Sequence, residues 1–312
     1  MTTIREKNFV SAVVYVHNSE REVHSFLKEL YRIFNDHFEK YEIICVNDAS
    51  TDDSRKIIKD LAKDIEGSVV SIVDMSIFQG LEASMDAGID LAIGDFIFEF
   101  DSVNMEYDPS LIMDVYYKIM EGNDIASAVP QKIVGRSSAF FYKIFNQYST
   151  AKVKIRQETF RVVSRRTINR VKSLNKTLVY RKAVYANCGL KWDYVEYSNS
   201  KKKRNFDIKT KMNRFELAME SLILFTNVIQ KFSLAVSMCF LALTVIIGGY
   251  TWASYLSIHK PVEGWTPIML FLSLGFFGIF LVLTVTIQYL SVILKLIYKK
   301  KVYLVSSIEK VT

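Results

Sequence analysis

Cysteine is almost missing from this chain. There are 3 in 312 residues, and they stand far apart at Cys45, Cys188 and Cys239. Such spacing fits no zinc motif and offers no disulfide framework, so the expected compartment is a reducing one. Met1–Lys7 holds no apolar core, so no secretory leader is expected there. Internal repeats and low-complexity linkers are also lacking, which argues against a solenoid or a string of tethered modules. Finally, charge is lacking from two long runs near the end, Phe232–Leu256 and Ile268–Ile297, until Lys295.

Each of those runs exceeds the roughly 20 apolar residues that a hydrocarbon core requires. They predict two membrane helices joined by SIHKPVEGWTP, a loop whose lysine and acidic residues are Lys260 and Glu263 alone. Positive charge gathers outside them. Lys201, Lys202, Lys203, Arg204, Lys209, Lys211, Arg214 and Lys231 precede the first run, and Lys295, Lys299, Lys300 and Lys301 close the second. Basic flanks mark the cytoplasmic side. The expected layout is a cytoplasmic domain over 1–212, an amphipathic interfacial helix over 213–230, membrane helices over 231–257 and 267–297, and a cytoplasmic tail over 298–312. The expected location is the inner (plasma) membrane, with more than one crossing. The net charge of +7 then points to anionic headgroups or phosphates. No basic-aromatic signature of an RNA-binding surface accompanies it, so nucleic acid is not an expected partner.

The part before the runs, about 230 residues, is large enough for one full core. FVSAVVYV at Phe9–Val16, YEIICV at Tyr41–Val46, VVSIVDM at Val69–Met75 and FIFEF at Phe96–Phe100 read as buried strands. Helical spacing separates them over Val23–Phe34, Asp53–Ile65 and Leu81–Ala92. Pro109–Met120 reads as a further helix and Ile125–Val129 as a further strand. Alternating strands and helices predict an α/β fold with a mostly parallel sheet. Ser137–Thr150 is amphipathic and aromatic, a helix that either packs on the domain or touches lipid.

In such sheets ligands bind beyond the carboxyl ends of the strands. Asp48 follows one strand end, placed to accept hydrogen bonds from a base or sugar, while Asp52 reads as a helix cap. Asp101 ends another strand. It could hold a divalent cation, with Glu99 two residues earlier on the same face and Asn104 and Asp108 as further oxygen donors.

In order, YVHNSE, EIICVNDASTDDS and MSIFQGLEASMDAGIDLAIGDFIFEFD resemble family 2 glycosyltransferases with the GT-A fold, whose pattern ends in a D-x-D motif. ETFRVVSRRTINRV is similar to the DFRL-SRR segment of the polyprenyl-phosphate (dolichyl-phosphate-mannose-synthase-like) members, which also end in two membrane helices. The resemblance implies inverting transfer of a sugar from a nucleotide-diphosphate donor to a polyprenyl phosphate, for modification of a cell-surface polysaccharide or glycan. It implies that Tyr15, Asn18, Glu20, Asp48 and Asp101 line the nucleotide-sugar site. Asp101 with Glu99 would hold Mg²⁺ or Mn²⁺, and Asp101, Glu158 and Arg161 would be catalytic. Arg161, Ser164, Arg165 and Arg166 would meet the acceptor phosphate, unless Arg165 and Arg166 merely start a helix.

Three departures bear on these expectations. The D-x-D motif reads Asp101-Ser102-Val103, and Thr159 replaces the Asp of DFRL, with Glu158 beside it. The basic end of the family pattern survives only as Arg181, Lys182 and Gly189. These departures motivate an alternative, a catalytically silent homologue that binds a nucleotide-sugar or lipid phosphate as partner of another membrane glycosylation protein. The apolar spans leave room for a homo-oligomer. A processive polysaccharide synthase is disfavoured, because no Q-x-x-R-W motif is present.

Overall fold

The computed structural model describes residues 5–63, 69–133, 135–149, 153–174, 180–198, 264–298 and 303–311, with scattered positions between 217 and 249. It divides into two compact units, Met1–Ser221 with Lys300–Thr312, and Leu222–Lys299.

The first unit is built on an 8-stranded sheet in the order β7-β5-β6-β4-β1-β2-β3-β8. Its strands are β1 (Val10–Val16), β2 (Tyr41–Asn47), β3 (Val69–Met75), β4 (Phe96–Phe100), β5 (Ile125–Pro130), β6 (Phe160–Ser164), β7 (Trp192–Tyr197) and β8 (Val305–Lys310). Helices α1 (Val23–His37), α2 (Ser54–Lys63), α3 (Leu81–Leu91), α4 (Leu111–Met120), α5 (Arg136–Tyr148), α6 (Arg165–Leu174) and α7 (Arg181–Asn187) complete the unit among the described residues. Strands β4, β1, β2 and β3 are parallel neighbours. β6 runs antiparallel between β4 and β5, and β8 antiparallel along β3.

Successive strand residues face opposite sides of a sheet. One side meets α1 and α4 through aromatic rings: Phe34 lies 4.9 Å from Phe98, and Phe26 lies 5.3 Å from Phe100. Tyr116 of α4 packs edge-on against Phe38. The other side takes α3, whose Gly88 lies against Val13 and Val46. Val13 is paired with Glu99 across β1 and β4, so Glu99 points to the α3 side. Both faces are covered, which explains why the central strands are continuous apolar runs.

The first four strands and three helices agree with the sequence expectation to within a few residues. Three strands were not expected. β6 and β7 carry Arg, Asp, Glu and Ser among their apolar residues, and β8, VSSIEK, is largely exposed. The tail expected over 298–312 therefore supplies an edge strand of the main sheet.

In the second unit, α8 (Trp265–Tyr298) is a continuous helix of 34 residues over the second apolar run. Among the described residues no helix is long and apolar enough to cross a membrane. The interfacial helix expected over 213–230 and the run at 231–257 lie outside the described residues except at isolated positions.

Candidate active site

Two clusters meet the carboxyl ends of the parallel strands. The first joins β1 to β2. Asp48 is fully buried just beyond β2, and its carboxylate is enclosed by donors. Oδ1 accepts from the Gln79 amide at 2.8 Å, and Oδ2 accepts from the Gly80 amide at 2.8 Å and the Tyr15 hydroxyl at 2.9 Å. Asn18 Oδ1 accepts from the Thr51 amide at 2.8 Å, and Asp53 donates its amide to Glu20 at 3.3 Å. Asn18 and Ala49 hold positive φ, 45° and 48°, a region that costs a side chain of ordinary shape about 1 kcal/mol. Tyr15, Asn18, Glu20 and Asp48 are thus brought together. The Asp48 carboxylate braces the loop after β3; it does not project into open space for a ligand.

The second cluster forms at the end of β4. Glu99 lies opposite Arg161 in the β4–β6 register, and Asp101 follows two residues later. Arg181 enters from α7 and is completely buried. Its guanidinium donates to Glu82 at 2.9 Å, Glu99 at 2.7 Å and Asp101 at 2.8 Å. Arg161 donates to Asp101 at 2.8 Å and forms ion pairs with Glu158 at 2.9 Å and Glu99 at 3.3 Å. Tyr185, one helical turn beyond Arg181, donates to Glu99 at 2.6 Å. Lys182 reaches Glu158 at 3.7 Å and lies 5.4 Å from the Tyr142 ring centre. Four carboxylates (Glu82, Glu99, Asp101, Glu158) therefore face three cations. The Asp101 side chain, 20% exposed, is the most accessible of the seven.

Burial acts on these groups in opposite ways. For Asp101, burial would raise the pKa, but Arg161, Arg181 and Lys182 together outweigh it and hold the carboxyl at about 2. For Glu99, burial prevails over the attraction of Arg181 and Arg161, and its pKa is raised above the ordinary 4.5. Lys182 is raised despite burial, chiefly by Glu158.

The expected acceptor-phosphate set does not assemble. β6 is antiparallel to β4, so Ser164 pairs with Phe96 while Phe160 pairs with Phe100. Ser164, Arg165 and Arg166 consequently sit at the opposite end of the sheet from Asp101. Arg165 donates to the Ala92 and Gly94 carbonyls at 2.7 and 2.8 Å, and the exposed Arg166 lies 3.5 Å from Asp124. Arg161 is 1% exposed with its guanidinium committed to carboxylates, so it is a counter-ion and not an open phosphate ligand.

Tyr142 and Tyr185 were missed from sequence, whereas His17, Gln79 and Glu82 stand in the segments just beyond the strand ends where ligands were expected, though none was singled out. His17 lies 4.6 Å from the Phe78 ring at the end of β1. The spacing of Arg181 and Tyr185 at i and i+4 was the available signal, since such positions share a helix face.

Over residues 11–178, more than half its length, the chain matches the family model described as Glycosyl transferase family 2. The chain belongs to that family. Among its relatives is an uncharacterized glycosyltransferase of Synechocystis, 26% identical over 96% of this chain and 95% of that protein. Another is a bactoprenol glucosyl transferase of Shigella phage SfV, 24% identical over 83% of this chain and 86% of that one. The fold is similar to that of glucosyl-3-phosphoglycerate synthase from Mycobacterium tuberculosis, solved with phosphoglyceric acid. The TM-score is 0.50 at 12% identity, over 68% of this chain and 79% of that one. This protein is a glycosyltransferase with a GT-A-like α/β fold.

Family 2 glycosyltransferases led us to expect a divalent cation at Asp101 and Glu99. The donor set does not fit one. Both Asp101 oxygens accept guanidinium hydrogens, and both Glu99 oxygens are engaged by Arg181 and Tyr185. The position of the second motif carboxylate is Val103, which is buried in the apolar core. Among the described residues, no group of three or more His, Cys, Asp or Glu side chains is arranged to hold a metal.

Proposed function

We propose that this glycosyltransferase moves a sugar from a nucleotide-diphosphate donor to a polyprenyl phosphate at the cytoplasmic face of the inner membrane, inverting the anomeric carbon. The reading rests on one geometric observation: the Asp48 turn and the Asp101 cluster share the carboxyl edge of one sheet, bridged by the loop from Gln79 to Glu82. A nucleotide on the turn that Asp48 braces would direct its diphosphate and sugar towards Asp101. The likeness to bactoprenol glucosyl transferases over most of both chains supports the lipid acceptor.

In this mechanism a phosphate oxygen of the lipid attacks C1 of the sugar. The bond from C1 to the diphosphate oxygen breaks, and its electron pair leaves with the nucleoside diphosphate. The acceptor is a phosphate monoester with a second pKa near about 6, so the nucleophile is already ionised at neutral pH. A general base is then unnecessary, which is consistent with Thr159, bonded to the Tyr197 hydroxyl at 2.6 Å, where the family pattern has Asp. Glu158 serves the same economy: it is a counter-ion to Arg161 and Lys182. Arg181 and Arg161 fix the orientation of Asp101, and such positioning supplies much of the barrier reduction in group transfer.

Membrane attachment is supported by the composition of 231–257 and 267–297 and by their basic flanks. Because β8 joins the same sheet as β3, the chain before and after Leu222–Lys299 lies on one side. This supports the reading of the two apolar runs as a helical hairpin.

The test is transfer by detergent-purified protein to polyprenyl phosphate and, separately, to the matching polyprenol, with UDP-, GDP- and dTDP-sugars. Product from the phosphate alone is expected. Transfer to the alcohol would remove the phosphate-nucleophile argument, and no transfer to either would favour the silent homologue.

A further inference from the structure

The C-terminal strand touches the donor turn through two separate side chains. Gln79 donates Nε2–H to the Leu304 carbonyl at 2.8 Å, and the Leu304 amide donates to Gln79 Oε1 at 2.8 Å. This closed pair treats a side-chain amide as though it were a strand neighbour. Gln79 and Gly80 are the same residues whose amides hold the Asp48 carboxylate. The second link runs through Asp74. Ser307 donates its hydroxyl to Asp74 Oδ2 at 2.9 Å, and Asn47 donates Nδ2–H to Asp74 Oδ1 at 2.8 Å. Asn47 Oδ1 in turn accepts from the Ser50 amide at 3.2 Å. Asn47 and Asp48, adjacent in the donor turn, are thus each one side chain away from β8. Tyr303 adds an anchor on α3, donating to Asp90 at 2.7 Å.

We propose that the C-terminal segment Tyr303–Lys310 is a working part of the donor site, with Gln79 and Leu304 as positioning residues that set the amides around Asp48 for nucleotide binding. The inference rests on the reading of the Asp48 turn as the nucleotide site. An exposed strand of six residues with two serines and a glutamate brings little apolar area to the fold. Its role lies in its directed polar contacts. The Gln79 side chain ties the loop after β3 to Leu304, whose carbonyl also accepts from the Ser76 amide at 2.8 Å, and the loop in turn meets Asp48 through the Gln79 and Gly80 amides. A misplacement of about 1 Å is enough to cost a bound ligand heavily.

The experiment uses the full chain in detergent, with UDP, GDP and dTDP as calorimetric probes, and donor KM and acceptor KM as the kinetic readout. Gln79→Ala and Leu304→Pro each break the closed pair. Ile93→Ala, at an exposed side chain outside the clamp, serves as control, and Asp48→Asn, which weakens the acceptor for the Gln79 and Gly80 amides, tests the turn itself. The expected result is nucleotide binding weakened about tenfold in the first two variants, with acceptor KM and melting temperature within error, and with Ile93→Ala unchanged. If Asp48→Asn loses nucleotide while Gln79→Ala and Leu304→Pro bind normally, the donor site stands and the clamp is overturned. If Asp48→Asn binds as the parent does, or the parent binds none of the three, the reading of the turn falls and takes the clamp with it. A parallel fall in melting temperature and rise in both KM values would make the strand merely structural, which also overturns the proposal.

Discussion

Arg181 Nη2 donates to Asp101 Oδ1 at 2.8 Å, from a side chain that is wholly buried. The same guanidinium bonds Glu82 and Glu99, so a single fork ties the start of α3 and the end of β4 to α7. Planar five-donor geometry is needed for that, and lysine cannot supply it.

Replacing Arg181 should therefore be severe. Arg181→Met leaves Glu99 buried against fewer cations, and breaking one side of a buried ion pair typically costs about 3–5 kcal/mol. Arg181→Lys should recover less than half of that. Urea denaturation of the three proteins measures both numbers. Equal stability of the lysine variant and the parent would show that charge alone is required.

Acid stability should report two carboxyls of opposite sign. The Asp101 pKa is depressed from 3.8 to about 2 in the fold, so its contribution is complete above 3.8 and is lost as pH falls towards 2. The Glu99 pKa is raised, so its contribution is complete below 4.5 and is lost as pH rises through the raised value. Denaturation across pH 2.5–8 should show Asp101→Asn flattening only the acid limb and Glu99→Gln only the limb above 4.5. An acid limb untouched by Asp101→Asn would contradict the ion-pair geometry.

Rebuilding the motif should not rebuild a metal site. Val103 is 4% exposed and sits in the apolar core. Val103→Asp places a carboxyl in that apolar core, at a cost of at least about 2 kcal/mol. Titration with Mn²⁺ followed by paramagnetic resonance should find no saturable site at Asp101 and Glu99 in the parent or in the variant. A stoichiometric site in either would require Asp101 to leave Arg161 and Arg181.

Close packing at the other end of β4 should be equally intolerant. A methyl group at Gly94 would lie 2.6 Å from the Ser11 backbone nitrogen. Gly94→Ala should destabilise by about 1–3 kcal/mol, as overpacking against backbone does. A melting temperature matching the parent would mean that the α3–β4 loop can shift freely.

The parallel half of the fold was legible because its strands are buried on both faces and its helices carry period-3.6 apolar spacing. The resemblance to family 2 glycosyltransferases put Tyr15, Asn18, Glu20 and Asp48 at one site, and the strand ends agree with it, since each stands just inside or beyond the end of β1 or β2. The acceptor residues could not be placed in this way. Ser164–Arg166 looked contiguous with Arg161, but β6 runs backwards beside β4 and carries them away from Asp101. Local spacing holds no information about strand direction. β8 was hidden more completely, since a short polar edge strand has neither period nor apolar content, and its partner β3 lies more than two hundred residues earlier.

The most direct test of the account is the lipid product itself. Purified protein, polyprenyl phosphate and each nucleotide-sugar in turn would be incubated, extracted into organic solvent and analysed by mass spectrometry, with the anomeric configuration read by NMR. The account predicts one hexosyl polyprenyl phosphate, from one donor, with inverted configuration. A retained configuration, or sugar delivered only to water-soluble acceptors while the lipid stays unmodified, would contradict it.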